Sequence, residues 1–163
     1  MTVVEKYFNA EKGESILFAL VGLVAIVVAI YFLLKVKQPF YTGMAYPLIM
    51  VALLQLIVGS TIYIRSPKDI ARVNNTRQTS PQKIASEEIP RMETVMKNFV
   101  FYRWIEIGLI AVGLFLWLFF PAASLWRGVG IGLMIQAGFM LGLDYFAESR
   151  GVVYLEFLKQ VKS

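Results

Sequence analysis

Four long runs of apolar residues constrain this chain more than any other feature. They cover residues 15–34, 40–64, 99–120 and 125–146. At ~1.5 Å of rise per residue, each run is about long enough to cross ~30 Å of hydrocarbon as an α-helix. A helix is expected because backbone amides inside a bilayer must be paired internally. The sequence therefore predicts an all-α integral membrane protein, a four-transmembrane-helix bundle.

The composition agrees with that prediction. Apolar residues make up 58% of the 163 residues, charged residues only 17%, and the mean hydropathy is +0.63. Soluble domains are nearer to about 45–50% apolar and about 25% charged. The length allows one domain, so we expect a single membrane domain over residues 1–163.

The segments outside the spans are predicted to be helical extensions. In residues 1–14, Val3, Val4, Tyr7 and Phe8 share one helical face, which predicts an amphipathic segment lying at the membrane interface. Residues 147–163 form a second amphipathic segment, which either extends the fourth helix or turns along the membrane at Gly151.

Residues 65–98 form the one long polar loop. Ser66-Pro67 and Ser80-Pro81 each suit a helix start, with Ser as the N-cap and Pro as the first helical residue. We therefore expect two short helices, the first of which is broken at residues 74–76. The 3.6-residue period after Pro90 predicts that the third transmembrane helix begins near Arg91 and runs unbroken to Phe120.

Basic residues predict the orientation. Twelve Lys and Arg residues lie in the N-terminal segment, the 65–98 loop and the C-terminal tail, which share one side of a four-span chain. The opposite loops hold three, Lys35, Lys37 and Arg127. The positive-inside rule then predicts that both termini are cytoplasmic, and we expect a bacterial inner (plasma) membrane. The net charge of +5 is explained by contact with anionic lipid, so no nucleic-acid partner is expected.

The chain contains neither cysteine nor histidine. Disulfides, thiol catalysis, iron–sulfur clusters, His-ligated haem and His-dependent triads are therefore excluded. We expect no cofactor and no metal site. A bound metal would have to be a hard cation held by Glu106, Asp144 or Glu148.

The residues whose side chains cost the most free energy to place inside a bilayer lie in the last two spans. Ionisable groups at membrane depth must find partners or water, so they are candidate site residues. If the turn between these antiparallel spans centres near residues 122–123, Arg103 lies within one turn of Asp144, and Glu106 lies one turn from Gln136. Gln55 of the second span is at about the depth of Gln136. The candidate ligand or proton pathway is thus Glu106, Arg103, Asp144, Gln136, Gln55 and Glu148.

Two interpretations of this polar track stay open. One is a cytoplasm-facing, water-accessible cavity, or a proton- or ion-coupled site in which Glu106 titrates. The other is an internally neutralised network of Arg103, Glu106 and Asp144 that fixes helix packing and does nothing else. No catalytic residue is predicted.

Glycines on the fourth span suggest a contact face. Gly128 and Gly132 step by four residues and would let another helix approach closely. That helix could belong to this chain, to a protein partner or to a second copy in a homo-oligomer.

These observations favour a non-enzymatic subunit, assembly factor or protective partner of a membrane complex. One alternative is a small oligomeric transporter or channel that uses the Glu106, Arg103 and Asp144 track. Another is a membrane enzyme that acts on a lipid with Glu106 or Asp144 as acid and base, although the absence of histidine and cysteine disfavours it.

Overall fold

A computed structural model describes residues 2–79 and 81–162, which are helical almost throughout and contain no strand. Four long helices cover most of this part: α1 (Val3–Tyr31), α2 (Pro39–Thr79), α3 (Ile89–Phe119) and α4 (Leu125–Lys162). Shorter helical segments join them: a π-helical turn at Phe32–Val36, a helical turn at Pro81–Lys83 and a second π-helical turn at Ile84–Glu88.

Each long helix contains a stretch long and apolar enough to cross a membrane. The helices are nevertheless longer than a bilayer requires. At ~1.5 Å per residue, the 41 residues of α2 extend to about 60 Å, roughly twice the hydrocarbon thickness. All four helices therefore continue beyond their apolar stretch at the end where both termini lie.

At that end the helix extensions pack together around a hydrophobic centre, which we call the terminal core. Its buried members come from all four extensions and from the second π-helical turn: Val4, Phe8, Val73, Ile84, Ile89, Met92, Tyr154 and Leu158. The prediction that residues 1–14 lie along the membrane interface is therefore wrong. The described part of this segment, from Val3 onward, forms the first turns of α1, because its apolar face packs in the terminal core, where Val4 and Phe8 are fully buried.

The loop prediction also needs correction. The helix start expected at Ser66-Pro67 and the break expected at residues 74–76 are absent, because α2 runs through both to Thr79. Pro67 removes one backbone hydrogen bond, but burial of Val73 in the terminal core holds the continuous helix together. Ser80 lies outside the described residues, and the next helical segment begins at Pro81, as expected.

The other two extensions are continuous helices. α3 begins at Ile89, two residues before the expected position, and runs unbroken to Phe119. α4 continues through Gly151 as one helix instead of turning along the membrane. Gly151 is buried, and a Cβ there would lie 2.9 Å from the sulfur of Met96, so the small residue lets α3 approach α4.

Within the apolar region the helices form an open bundle in the order α1, α2, α4, α3. α2 packs against α1 and α4, and α3 packs against α4, so α1 and α3 are the outer helices. α1 carries no charged side chain within its apolar stretch, as an outer wall would require.

Glycines set the spacing between the central helices. A Cβ on Gly132 would lie 2.8 Å from the carbonyl oxygen of Met44, and a Cβ on Gly128 would overlap the carbonyl of Phe40. The glycine face predicted on the fourth span is thus used inside the chain, against α2.

We expect Gly128→Ala to destabilise the protein by about 1–3 kcal/mol, since the added methyl group forces α2 and α4 apart. Gly138→Ala is the matched control, because nothing lies within 4 Å of a Cβ at that position. Thermal unfolding in the same detergent measures both. Equal melting temperatures for the two variants would contradict the close α2–α4 contact.

Candidate functional site

The two buried amides of the predicted track meet as expected. The Gln55 Nε2 atom donates to Gln136 Oε1 at 3.3 Å, and Gln136 Nε2 donates to the Leu48 carbonyl at 3.4 Å. Both side chains are buried, at 0% and 2% exposure. They join α2 to α4 at mid-span, as interhelical amide bonds do in other membrane bundles.

Glu106 is the most isolated ionisable residue of the spans. It is 1% exposed, and neither of its buried carboxyl oxygens receives a hydrogen bond. Asp144 is the ionisable group that interacts with it most strongly, carboxyl to carboxyl, across the α3–α4 contact. Two carboxyl groups that share a site of low dielectric constant are stable only when they share a proton or receive a cation.

Arg103 does not neutralise that pair. It lies close enough to act on Glu106 electrostatically, but its guanidinium forms an ion pair with Glu148 on α4. The interpretation in which Arg103, Glu106 and Asp144 neutralise one another is thus not supported by an ion pair, because Arg103 pairs with Glu148. The long arginine side chain extends toward the polar end of the span, which is the usual behaviour near a membrane surface.

Beside these groups lies a cavity of about 810 Å³, the α3–α4 groove. Arg103, Asp144 and Glu148 all line it. Two glycines of α4, Gly138 and Gly142, also line it, and a Cβ on either would meet no atom within 4 Å. The remaining walls are mainly apolar: Phe99, Ile107, Leu141, Tyr145, Phe146 and Val152.

All six predicted residues thus fall into two clusters. The amides form the mid-span pair with α2, whereas Arg103, Asp144 and Glu148 line the groove and Glu106 is buried against Asp144. The track is not continuous in hydrogen bonds, because Glu106 receives none.

The sequence analysis missed a second buried charge, at the start of α3. Glu88 is 1% exposed and accepts hydrogen bonds from Arg91, at 2.6 and 3.1 Å, and from the Tyr154 hydroxyl at 3.3 Å. Arg72 of α2 forms an ion pair with it at 3.0 Å. The ring of Tyr154 stacks on Tyr7, with centroids 4.2 Å apart. The i, i+3 spacing of Glu88 and Arg91 was the available signal in the sequence.

This second cluster, which we call the Glu88 network, is outside the apolar spans and is fully compensated. Burial raises the pKa of the Glu88 carboxyl, but the hydrogen bonds and charges of Arg91 and Arg72 outweigh burial and hold the pKa below its ordinary value. Burial and the neighbouring Glu88 charge raise the pKa of the Tyr154 hydroxyl, so this phenol stays protonated. The arrangement stabilises the terminal core and leaves no reactive group.

Comparisons with protein families, curated proteins and solved structures found no match for this chain. Within residues 2–79 and 81–162, no three acidic residues lie close enough together to hold a metal ion. The candidate site is therefore defined by its own geometry, a groove of apolar walls with an acidic side.

The Glu88 network makes a prediction about acid stability. Because the pKa of Glu88 is lower in the folded state, its stabilising effect is present above the ordinary pKa of 4.5 and is lost as the pH falls through the native value. We expect Glu88→Gln to cost about 3 kcal/mol at pH 7, since it leaves Arg72 and Arg91 without their buried partner.

The variant should also lose less stability than the wild type between pH 5 and pH 3. Chemical unfolding at both pH values measures this difference. Glu93→Gln is the control, because Glu93 is exposed and pairs with Lys159 at the surface. A wild type whose stability does not change below pH 4.5 would refute the role of the Glu88 network.

Proposed function

We propose that the chain is a non-enzymatic subunit, assembly factor or protective partner of a membrane complex, and that it docks through the outer face of α3. The observation that carries this proposal is the position of α3, which packs in the apolar region against α4 and against no other long helix of the described chain. Its opposite side is free to contact another protein.

That side bears a continuous apolar stripe. Its members recur every three or four residues and so share one face of the helix: Phe101, Trp104, Ile105, Gly108, Val112, Phe115 and Phe119. All are exposed, and Trp104 and Phe119 reach 69% and 70%. Large aromatic side chains of this kind supply much of the contact area at protein interfaces.

Gly108 lies in the middle of the stripe. A Cβ there would meet nothing within 4 Å, so no contact inside the chain requires a glycine. In membrane helices, small residues on an outer face allow a second helix to approach the backbone closely. This position supports docking of a partner helix over simple exposure to lipid.

We further propose that both termini are cytoplasmic in a bacterial inner membrane. The proposal is supported by the Lys and Arg residues gathered around the terminal core and by the few basic residues of the two opposite loops. A C-terminal green fluorescent protein fusion should be fluorescent, and a C-terminal alkaline phosphatase fusion should be inactive. The reverse pattern would overturn the orientation.

The docking face is tested by purification from the native membrane in mild detergent, followed by native mass spectrometry. We expect a different protein at fixed stoichiometry with the wild type. Gly108→Leu should weaken the association tenfold or more, about 1.4 kcal/mol, because the larger side chain holds the two backbones apart.

Gly138→Leu is the matched control, since it places the same bulk on an equally open glycine in the α3–α4 groove. It should retain the partner. A wild-type chain that is functional without any partner, or a Gly108→Leu variant that keeps its partner fully, would refute the proposal.

A further inference from the structure

The α3–α4 groove has walls suited to the apolar part of a small molecule. All residues that line it belong to α3 and α4, so it opens on a side of the bundle that neither α1 nor α2 covers. Its volume of about 810 Å³ is within the range of small-molecule sites, which is roughly 300–1,000 Å³. The groove is deepest over Gly138 and Gly142, because neither residue has a side chain and no other atom fills the space beside them.

The charges of the groove are unequal. Arg103 and Glu148 neutralise each other as an ion pair. Asp144 lines the same cavity and forms no ion pair with the described residues. The acidic side of the groove therefore has no basic partner, within a span where an uncompensated charge is costly.

Glu106 supports this conclusion independently. It is 1% exposed and does not line the groove, but its carboxyl group adjoins that of Asp144, which does, and no basic side chain of the described chain forms an ion pair with it. The Glu88 network shows how this protein otherwise buries a carboxylate, with two arginines and a tyrosine around it. At Glu106 and Asp144 the corresponding cationic group is missing from the chain.

We propose that the α3–α4 groove binds a lipophilic cation, a molecule that carries an ammonium group on an apolar body. The ammonium group lies against Asp144, with Glu106 behind it, and supplies the positive charge that the chain does not. The apolar body lies along Phe99, Ile107 and Tyr145. The rings of Phe99 and Tyr145 suit such a ligand further, since aromatic faces attract cations.

This site is separate from the proposed docking face. Gly108 and the apolar stripe lie on the outer side of α3, whereas Phe99, Arg103 and Ile107 line the groove. The inference does not depend on a protein partner, and the two can fail independently.

The experiment uses the full chain in nanodiscs of digalactosyl diacylglycerol, a lipid whose head group carries no ammonium group, and radiolabelled dodecyltrimethylammonium as the probe. Empty nanodiscs give the background from partition into lipid. We expect saturable binding of about one probe per chain, as a single groove requires. Dodecyl sulfate, which has the same tail and a negative head group, should show no saturable binding.

Charge-neutral variants of nearly the same shape test the acidic pair. Asp144→Asn and Glu106→Gln should each weaken probe binding about tenfold or more. Glu156→Gln is the matched control, because it removes an exposed carboxylate of the same helix outside the groove. Gly142→Leu should reduce binding by filling the groove, whereas Gly108→Leu should not affect it.

Three results would overturn the proposal: binding that does not exceed that of empty nanodiscs, equal binding of dodecyl sulfate, or unchanged binding by the Asp144→Asn, Glu106→Gln double variant. If Asp144→Asn does not yield folded protein, Glu106→Gln and Gly142→Leu decide between these outcomes. Circular dichroism of each variant confirms that it is folded.

A lipid amine could supply the same chemistry as a free amphiphile. Nanodiscs that contain phosphatidylethanolamine distinguish the two sources. Displacement of the probe by this lipid supports the proposal and identifies the membrane as the source of the cation. If probe binding is unchanged in the nanodiscs that contain phosphatidylethanolamine, the proposal is supported and the ligand is a free lipophilic amine.

Discussion

Close contact between the backbones of α2 and α4 is the interaction on which the rest of the structure depends. Lipid tails are as apolar as the side chains of the helices, so burial of apolar surface does not hold a membrane bundle together. Gly128 and Gly132 instead let α4 approach the backbone of α2 at Phe40 and Met44. The Gln55–Gln136 hydrogen bond then joins the same two helices at mid-span. α1 and α3 are attached to this central pair from either side.

The two ends of the spans differ in how they are stabilised. The terminal core is built like a small soluble bundle, with buried aliphatic and aromatic side chains and the compensated Glu88 network. The apolar region relies on small residues and a few amides, and it leaves one acidic pair without a basic partner. A protein that neutralises Glu88 so thoroughly could have neutralised Glu106 in the same way. We infer that the difference reflects a role for the Glu106 and Asp144 pair in binding.

Much of the fold was predictable because the constraint of the bilayer is simple. Runs of the right length and apolarity predicted four helices, and antiparallel geometry placed Gln55 at the depth of Gln136. The same geometry placed Glu106 one turn from Gln136, whereas the structure brings it against Asp144. The partner of Arg103 was not predictable from depth alone, because a long flexible side chain can reach either Asp144 or Glu148. The terminal core was missed for a related reason. An amphipathic segment such as residues 1–14 suits a membrane surface and a protein core equally well, and only tertiary packing decides between them.

The order of the helices in the bundle has a consequence for biosynthesis. The central contact joins α2 to α4, so it forms only after the fourth helix has been synthesised. Until then α3 has no long-helix neighbour in the apolar region. We therefore expect Glu106 of α3 to be unshielded until the fourth helix has been made. A chain that ended before Leu125 would contain an α1–α2 hairpin and an unpaired α3, and not a smaller bundle.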